Sequence, residues 1–212
     1  LSRVENELEV VQKKLRSYPD EDIQKLGAYR ERAHPSAALA QWLPRLALPA
    51  RARALDVACG AGRNACFLAT AGLAVSGIDG SAVALEHSAA RARAAGVSLA
   101  LHAADLEQGL PRWQGLVAPF HLIVLVRYVN APLVPALAQL LAPGGYLFIE
   151  QHLRGPHSAP VTGPRREAFR VPRDSLRALV PELHCYASEQ GRFVDPDGAP
   201  VALARLLAQR LP

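Results

Sequence analysis

Residues 54–72 read ALDVACGAGRNACFLATAG. A short apolar run ends in Gly60-Ala61-Gly62, and an Ala/Leu-rich helical run follows. A strand, a glycine turn and a helix in this order mark the crevice where an open α/β sheet takes its ligand. Gly60, Gly62 and Ala65 fit the G-x-G-x-x-G/A pattern of a dinucleotide loop, with Asp79 near the place of the ribose acid. Helix N-terminal N–H groups would then meet a pyrophosphate. Asp56, four residues before Gly60, works against that, because like charges repel in a low-dielectric crevice. A ligand that is cationic at one end suits Asp56 better, and Arg63 after the turn suits a carboxylate.

Outward from this stretch, short apolar runs alternate with helical ones. Strands are predicted at Ala54–Cys59, Ala74–Asp79, Ser98–Ala103, His121–Val126 and Tyr146–Gln151. Helices are predicted at Arg63–Ala71, Ser81–Ala95 and Leu133–Leu141, closed by Gly72, Gly96 and the Pro143-Gly144-Gly145 turn. Most of the strands are nearly continuous in apolar character, as strands buried on both faces are. Alternation with right-handed crossovers makes a Rossmann-like, doubly wound parallel sheet. The tail differs. Residues 154–172 carry four prolines and two glycines and form a long loop. Asp174 is placed to cap a short helix through Val180, and Asp195-Pro196-Asp197-Gly198 reads as a turn. Propensity alone makes Val201–Leu211 a helix, and an antiparallel edge strand is the alternative.

Three acids sit at three successive predicted strand ends: Asp56, Asp79 and Asp105. S-adenosylmethionine fits them, with a sulfonium and an ammonium near Asp56, its carboxylate at Arg63, and no phosphate. Asp79 would accept both ribose hydroxyls, Asp105 the adenine amino group, and Leu106 would pack on the ring. There is no G-x-x-x-x-G-K-[ST] loop for a nucleotide triphosphate.

With these motifs the chain resembles the class I S-adenosylmethionine-dependent methyltransferases over about residues 35–210. LDVACGAGRN, SGIDGS and AADLE are similar to the family's first three motifs, and FHLIVLVRYVNAPLVPAL and LAPGGYLFIE to its fourth and fifth strand segments. Gly62-Arg63-Asn64, with Arg127-Tyr128 after the fourth strand, looks most like the bacterial tellurite-resistance and thiopurine-type branch. The resemblance implies a seven-stranded sheet whose last strand, Val201–Leu211, is antiparallel. It implies cofactor contacts at Asp56, Ala58, Gly60, Gly62, Arg63, Asn64, Asp79, Asp105, Leu106 and Arg127. Residues 34–212 are expected to form the methyltransferase domain. Two features depart from the branch: Asn130-Ala131 stands in place of His-Arg, and Glu150-Gln151-His152 in place of a Glu-Thr-Phe-like end.

The acceptor is read from the loops after the fourth and fifth strands. Tyr128, Asn130, His152 and His157 are the substrate candidates, three of them with a bland rival: packing for Tyr128, a helix cap for Asn130, a solvated surface for His152. No catalytic residue is assigned. A thiolate or a chalcogen oxyanion such as tellurite can react without a general base, whereas a hydroxyl or amine usually needs one. Arg165, Arg166, Arg170, Arg173 and Arg177 form either a solvated surface or a lure for an anionic small molecule.

Composition bounds the rest. The formal net charge of +5 is carried largely by arginine, yet aromatics make up 6% and no nucleic-acid motif appears, so a small-molecule partner is expected. No apolar run approaches the length of a membrane span, and the start lacks a signal pattern, so a cytoplasmic location is expected. Cys59, Cys66 and Cys185 show no metal spacing, and no metal site is expected. The chain lacks methionine even at position 1, as a fragment or processed form would. Residues 1–33 read as a separate helical extension. Leu1, Val4, Leu8, Val11, Leu15 and Tyr18 make a short heptad seam, suited to packing on the domain, to covering the site or to a homodimer contact. A nicotinamide-dependent oxidoreductase and a non-catalytic binding module are the rival readings.

Overall fold

The computed structural model describes residues 33–111, 116, 119–155 and 159–212. The chain divides into two units, Leu1–Ala33 and His34–Pro212. The helical extension and the homodimer contact expected for residues 1–33 lie outside the described residues, as does His157.

The second unit is built on one seven-stranded sheet. Its strands are β1 (Arg53–Val57), β2 (Ala74–Asp79), β3 (Ala100–Ala103), β4 (Phe120–Val126), β5 (Leu141–His152), β6 (His184–Val194) and β7 (Pro200–Gln209). The spatial order is β3-β2-β1-β4-β5-β7-β6. β1 to β5 pair in parallel, and β7 runs antiparallel to both β5 and β6. The sheet is Rossmann-like with one reversed strand, and the run 201–211 is strand through Gln209. Propensity alone misreads that run, because a strand closed in by two neighbours takes its conformation from pairing and burial.

The helices are α1 (Ala37–Trp42), α2 (Arg63–Thr70), α3 (Ala82–Ala94), α4 (Leu133–Gln139) and α5 (Ser175–Ala178). β4 explains the two-layered core. Leu122 and Val124 pack with α1 and α2 on one face, while Ile123 and Leu125 pack with α4 and α5 on the other. Both faces of the strand are buried, hence its unbroken apolar run. Trp42 of α1 meets Phe148 of β5 edge to face at 5.6 Å.

Several boundaries move for local reasons. β1 stops at Val57, short of the predicted Cys59, because Ala58 turns into the left-handed region at φ 53°. α4 stops at Gln139 because Leu141 leaves to pair with Phe120. The Pro143-Gly144-Gly145 turn belongs to β5 as an irregularity between the Phe120 and Leu122 registers. There Gly144 donates to the Arg210 carbonyl, and Arg210 donates to that of Gly145. Asp174 precedes α5, but its side chain makes no cap; its carboxylate accepts from Gln190 instead. The Pro-rich loop folds back on the sheet through bridges from Leu153 to Val171 and from Thr162 to Val201.

β1 lies between β2 and β4, so the chain reverses its winding there. An open α/β sheet binds ligands at the carboxyl ends of its strands beside this switch point. Asp56, Asp79, Arg127 and His152 all lie at or just beyond those ends.

Candidate cofactor and acceptor site

The glycine loop is held in an unusual backbone path. Ala58, Gly60 and Gly62 have φ of 53°, 55° and 75°. The Cys59 N–H reaches the Ile78 carbonyl at 2.9 Å, and Gly62 donates to Cys59 at 3.0 Å. Gly62 cannot carry a side chain: a Cβ there would lie 2.1 Å from Ser88 Oγ of α3. The turn therefore needs glycine for its conformation and for the close approach of α3.

Asp56 sits beneath this loop, 1% exposed. Its Oδ2 has no hydrogen-bond partner, although the Ala65 N–H donates to the carboxylate and Arg63 lies near enough to favour its charge. Burial outweighs both and raises its pKa to about 7. A buried carboxylate short of partners is costly, and such groups concentrate where a ligand completes them.

Asp79 closes β2 with both oxygens engaged. Oδ2 accepts from Gly60 N–H and Oδ1 from Ser81 N–H, each at 2.8 Å. A carboxylate has about four lone-pair sites, so room for two ribose hydroxyls remains. These bonds also fix the acid against the glycine loop. Asp105 is exposed, and its Oδ1 receives the Glu107 N–H at 3.0 Å, which starts the 3-10 turn Leu106–Gln108. Leu106 beside it is buried.

Arg63, Asn64 and Arg127, expected at the cofactor, each make contacts within the fold. Arg63 opens α2, and its Nη1 donates to the His34 carbonyl at 3.1 Å. Asn64 is buried and its Oδ1 accepts from the Ser36 N–H at 2.9 Å, tying down the segment before α1. The Arg127 guanidinium grips Asp195 with both Nη atoms, at 2.9 and 2.5 Å, and reaches Glu150 at 3.4 Å. The Asn64 amide and the Arg127 guanidinium are withdrawn from water, whereas Arg63 stays partly exposed.

The acceptor candidates divide likewise. Tyr128 donates its hydroxyl to Glu107 Oε1 at 2.7 Å and receives Asn130 Nδ2 at 3.4 Å. Burial, with Glu107 and Asp105 close by, pushes its pKa up, so it keeps its proton. Asn130 also donates to the Leu106 carbonyl at 3.0 Å, joining the β3 and β4 loops rather than capping a helix with its side chain. A cavity of about 420 Å³ opens between these two loops, lined by Leu106, Glu107, Leu110, Val129, Asn130 and Leu133 among others. His152 is not solvated: it is 3% exposed and packs so tightly on Gly163 that a Cβ there would lie 2.8 Å from the ring. In the tail, Arg170 donates to the Pro164 and Leu153 carbonyls and Arg177 to those of Val180 and Leu183, which makes both of them loop braces.

One cluster escaped the sequence reading. Glu150, wholly buried in β5, receives Ser36 Oγ and Arg205 Nε at 2.9 Å each, besides Arg127. Ser36, Glu150, Arg127, Arg205 and Asp195 thus join five segments. The Glu150–Arg205 pair appears only once the β5–β7 register is known. Asp195 had no signal beyond its place in a turn.

Among the described residues no group of His, Cys, Asp and Glu could hold a metal, and no helix is long and apolar enough to cross a membrane. The three cysteines are unpaired by disulfides, and burial pushes the Cys59 and Cys66 thiols up.

A reversed seventh strand beside a parallel sheet, with acids at the ends of β1 and β2 and just beyond β3, defines the S-adenosylmethionine-dependent methyltransferase fold. Residues 54–145 match the methyltransferase domain family. The structure resembles TehB from Haemophilus influenzae with a TM-score of 0.66 and 15% identity, over 83% of this chain and 62% of that one. The chain thus spans less than two thirds of TehB. It resembles an S-adenosylmethionine-dependent methyltransferase from Methanosarcina mazei with a TM-score of 0.60 and 14% identity, over 84% and 99% of the two chains. It also resembles magnesium protoporphyrin IX methyltransferase from Synechocystis PCC 6803 with bound S-adenosylmethionine (TM-score 0.59, 17% identity, 82% and 76% covered). At these identities the likenesses show the fold. No curated protein matches the chain. S-adenosylmethionine, bound in the Synechocystis structure, fits the residues present here: Asp56 offers an unsatisfied buried oxygen to a cationic group, and the glycine loop leaves the backbone open.

Proposed function

We propose that the protein transfers a methyl group from S-adenosylmethionine to a small-molecule acceptor, a thiol or a chalcogen oxyanion such as tellurite. The observation that carries this reading is the buried Asp56 carboxylate, one oxygen without a partner, beside a glycine loop pinned by Asp79. In this reading Asp56 meets the cationic amino-acid end, Asp79 the ribose hydroxyls, and Asp105 with Leu106 the adenine. When bound, the cofactor supplies a methyl already activated by its sulfonium. The chain then has to align the acceptor and keep water away.

Tyr128 supports a soft nucleophile. Its hydroxyl donates to Glu107 and its pKa is raised, so it is no proton acceptor near neutral pH. Asn130 has no basic atom, and His152 is packed under Gly163. A thiolate, its proton already lost to water, or a chalcogen oxyanion can react without a base from the protein. The cavity beside Leu106, lined by Leu110, Val129 and Leu133 as well as Glu107 and Asn130, offers apolar contacts to the body of a thiol, and its Glu107 carboxylate disfavours a bare oxyanion.

The test is a panel of thiols, selenite, tellurite, phenols and amines incubated with S-adenosylmethionine. The reading expects a methylated thiol or chalcogen together with S-adenosylhomocysteine. Exclusive methylation of phenols or amines would contradict the acceptor class. Silence across the panel, with S-adenosylhomocysteine still bound, would favour the non-catalytic module.

A further inference from the structure

We propose that Asp195, in the turn between β6 and β7, is a positioning residue that acts through Arg127 to hold Tyr128 and Asn130 at the acceptor side of the site. The proposal rests on the methyltransferase reading only for what Tyr128 and Asn130 face; the positioning itself is a property of the fold.

Arg127 follows the last residue of β4 and has φ of 60°, a left-handed conformation that a side chain such as arginine rarely adopts. Strain of this kind costs on the order of 1–3 kcal/mol and persists only where the surroundings over-determine it. Here they do. The Arg127 N–H is bound to the Glu150 carbonyl at 2.7 Å, and its guanidinium is clamped bidentately by Asp195. Both side chains are about 5% exposed or less, so the pair is shielded from water and salt. Backbone and side chain of the strained residue are therefore fixed independently.

The consequence falls on the next residues. Reversal of φ at Arg127 turns the chain out of the sheet. The Tyr128 carbonyl then meets Gln151 Nε2 at 2.8 Å, its hydroxyl meets Glu107, and Asn130 reaches the Leu106 carbonyl. Arg127 joins Tyr128 and Asn130 to β4, so a relaxed Arg127 would strain all three contacts. Asp195 is well placed for this control. The strand that follows it is antiparallel to β5, with Leu203 opposite His152, which brings the β6–β7 turn to the carboxyl end of the parallel strands. A turn distant in sequence thus sets the geometry of the site wall.

The test needs no acceptor. The protein is labelled with 3-fluorotyrosine, and the Tyr128 fluorine resonance is assigned with Tyr128→Phe. Asp195→Asn should shift or broaden the Tyr128 resonance and leave that of Tyr146, in the core, in place. The double variant Asp195→Ala/Arg127→Gly removes the charge pair, and glycine accepts the positive φ unaided; it should return Tyr128 to its wild-type resonance. Affinity for S-adenosylhomocysteine should stay within about threefold in Asp195→Asn, since Asp195 holds no cofactor in this account. A Tyr128 resonance unmoved by Asp195→Asn, or displaced equally in the double variant, overturns the proposal. Should Asp195→Asn lose its folded circular-dichroism spectrum, the double variant alone decides: wild-type Tyr128 resonance supports the proposal, and a displaced one ends it. Failure of the wild-type protein to bind S-adenosylhomocysteine would strike the cofactor reading and leave the positioning result intact.

Discussion

Asp56 is the residue on which the proposed cofactor site turns. Its pKa of about 7 lies above that of an unfolded aspartate, chiefly through burial. Between pH 4 and 7 the folded chain holds a proton that the unfolded chain has lost. Its contribution to stability therefore falls as pH rises across that window and is flat above it. Asp56→Asn should raise the unfolding free energy of the ligand-free protein at pH 8, relative to wild type, by about 3–4 kcal/mol, and hardly at pH 4. Denaturant titration at the two values checks this. Binding a cationic group should ionise Asp56, so affinity for S-adenosylhomocysteine should weaken by about tenfold per pH unit below 7 and level off above. Calorimetry of Asp56→Asn should show weaker binding without that dependence. Asp79→Ala should lower the same affinity about 100-fold, near 3 kcal/mol, through loss of charged hydrogen bonds to two hydroxyls. Unchanged binding would take Asp79 out of the site.

The glycine loop is an element-scale device, because its shape is set by a neighbouring helix. Gly62 has positive φ and no space against Ser88, so Gly62→Ala should destabilise the domain by about 2–4 kcal/mol and shift the turn that carries Gly60. Thermal melting and S-adenosylhomocysteine titration would both report it; a variant as stable as wild type would mean that α3 yields easily. This element was legible in the sequence, because a glycine turn between an apolar run and a helix has a strong local signature. β2 and β4 were legible for the same reason. Asp174 was not: the cap pattern fits, but Gln190 of β6 takes its carboxylate. The buried contacts of Arg127 and Asn64 were not legible, because their partners, Asp195, Glu150 and Ser36, are 23 to 68 residues away and only folding brings them together. Local pattern names the acids at strand ends. It is silent on which polar side chains are consumed in buried pairs.

At the scale of the whole second unit, the sheet splits its tasks. The proposed cofactor side takes its three acids from the ends of β1 and β2 and from the loop after β3. The proposed acceptor side lies on β4 and β5, with the β6–β7 turn joined to it through Arg127. The first half follows a recurring sequence pattern, so expectations could be attached to it residue by residue. The second half holds the departures at Asn130-Ala131 and Gln151-His152, and its loops are where the chemistry of the acceptor is decided. The measurement that bears most directly on the account is a calorimetric titration of the protein with S-adenosylhomocysteine and, separately, with NADH. Micromolar binding of S-adenosylhomocysteine, lost in Asp79→Ala, with no heat from NADH, is the predicted result. Micromolar binding of NADH with no response to S-adenosylhomocysteine would contradict it.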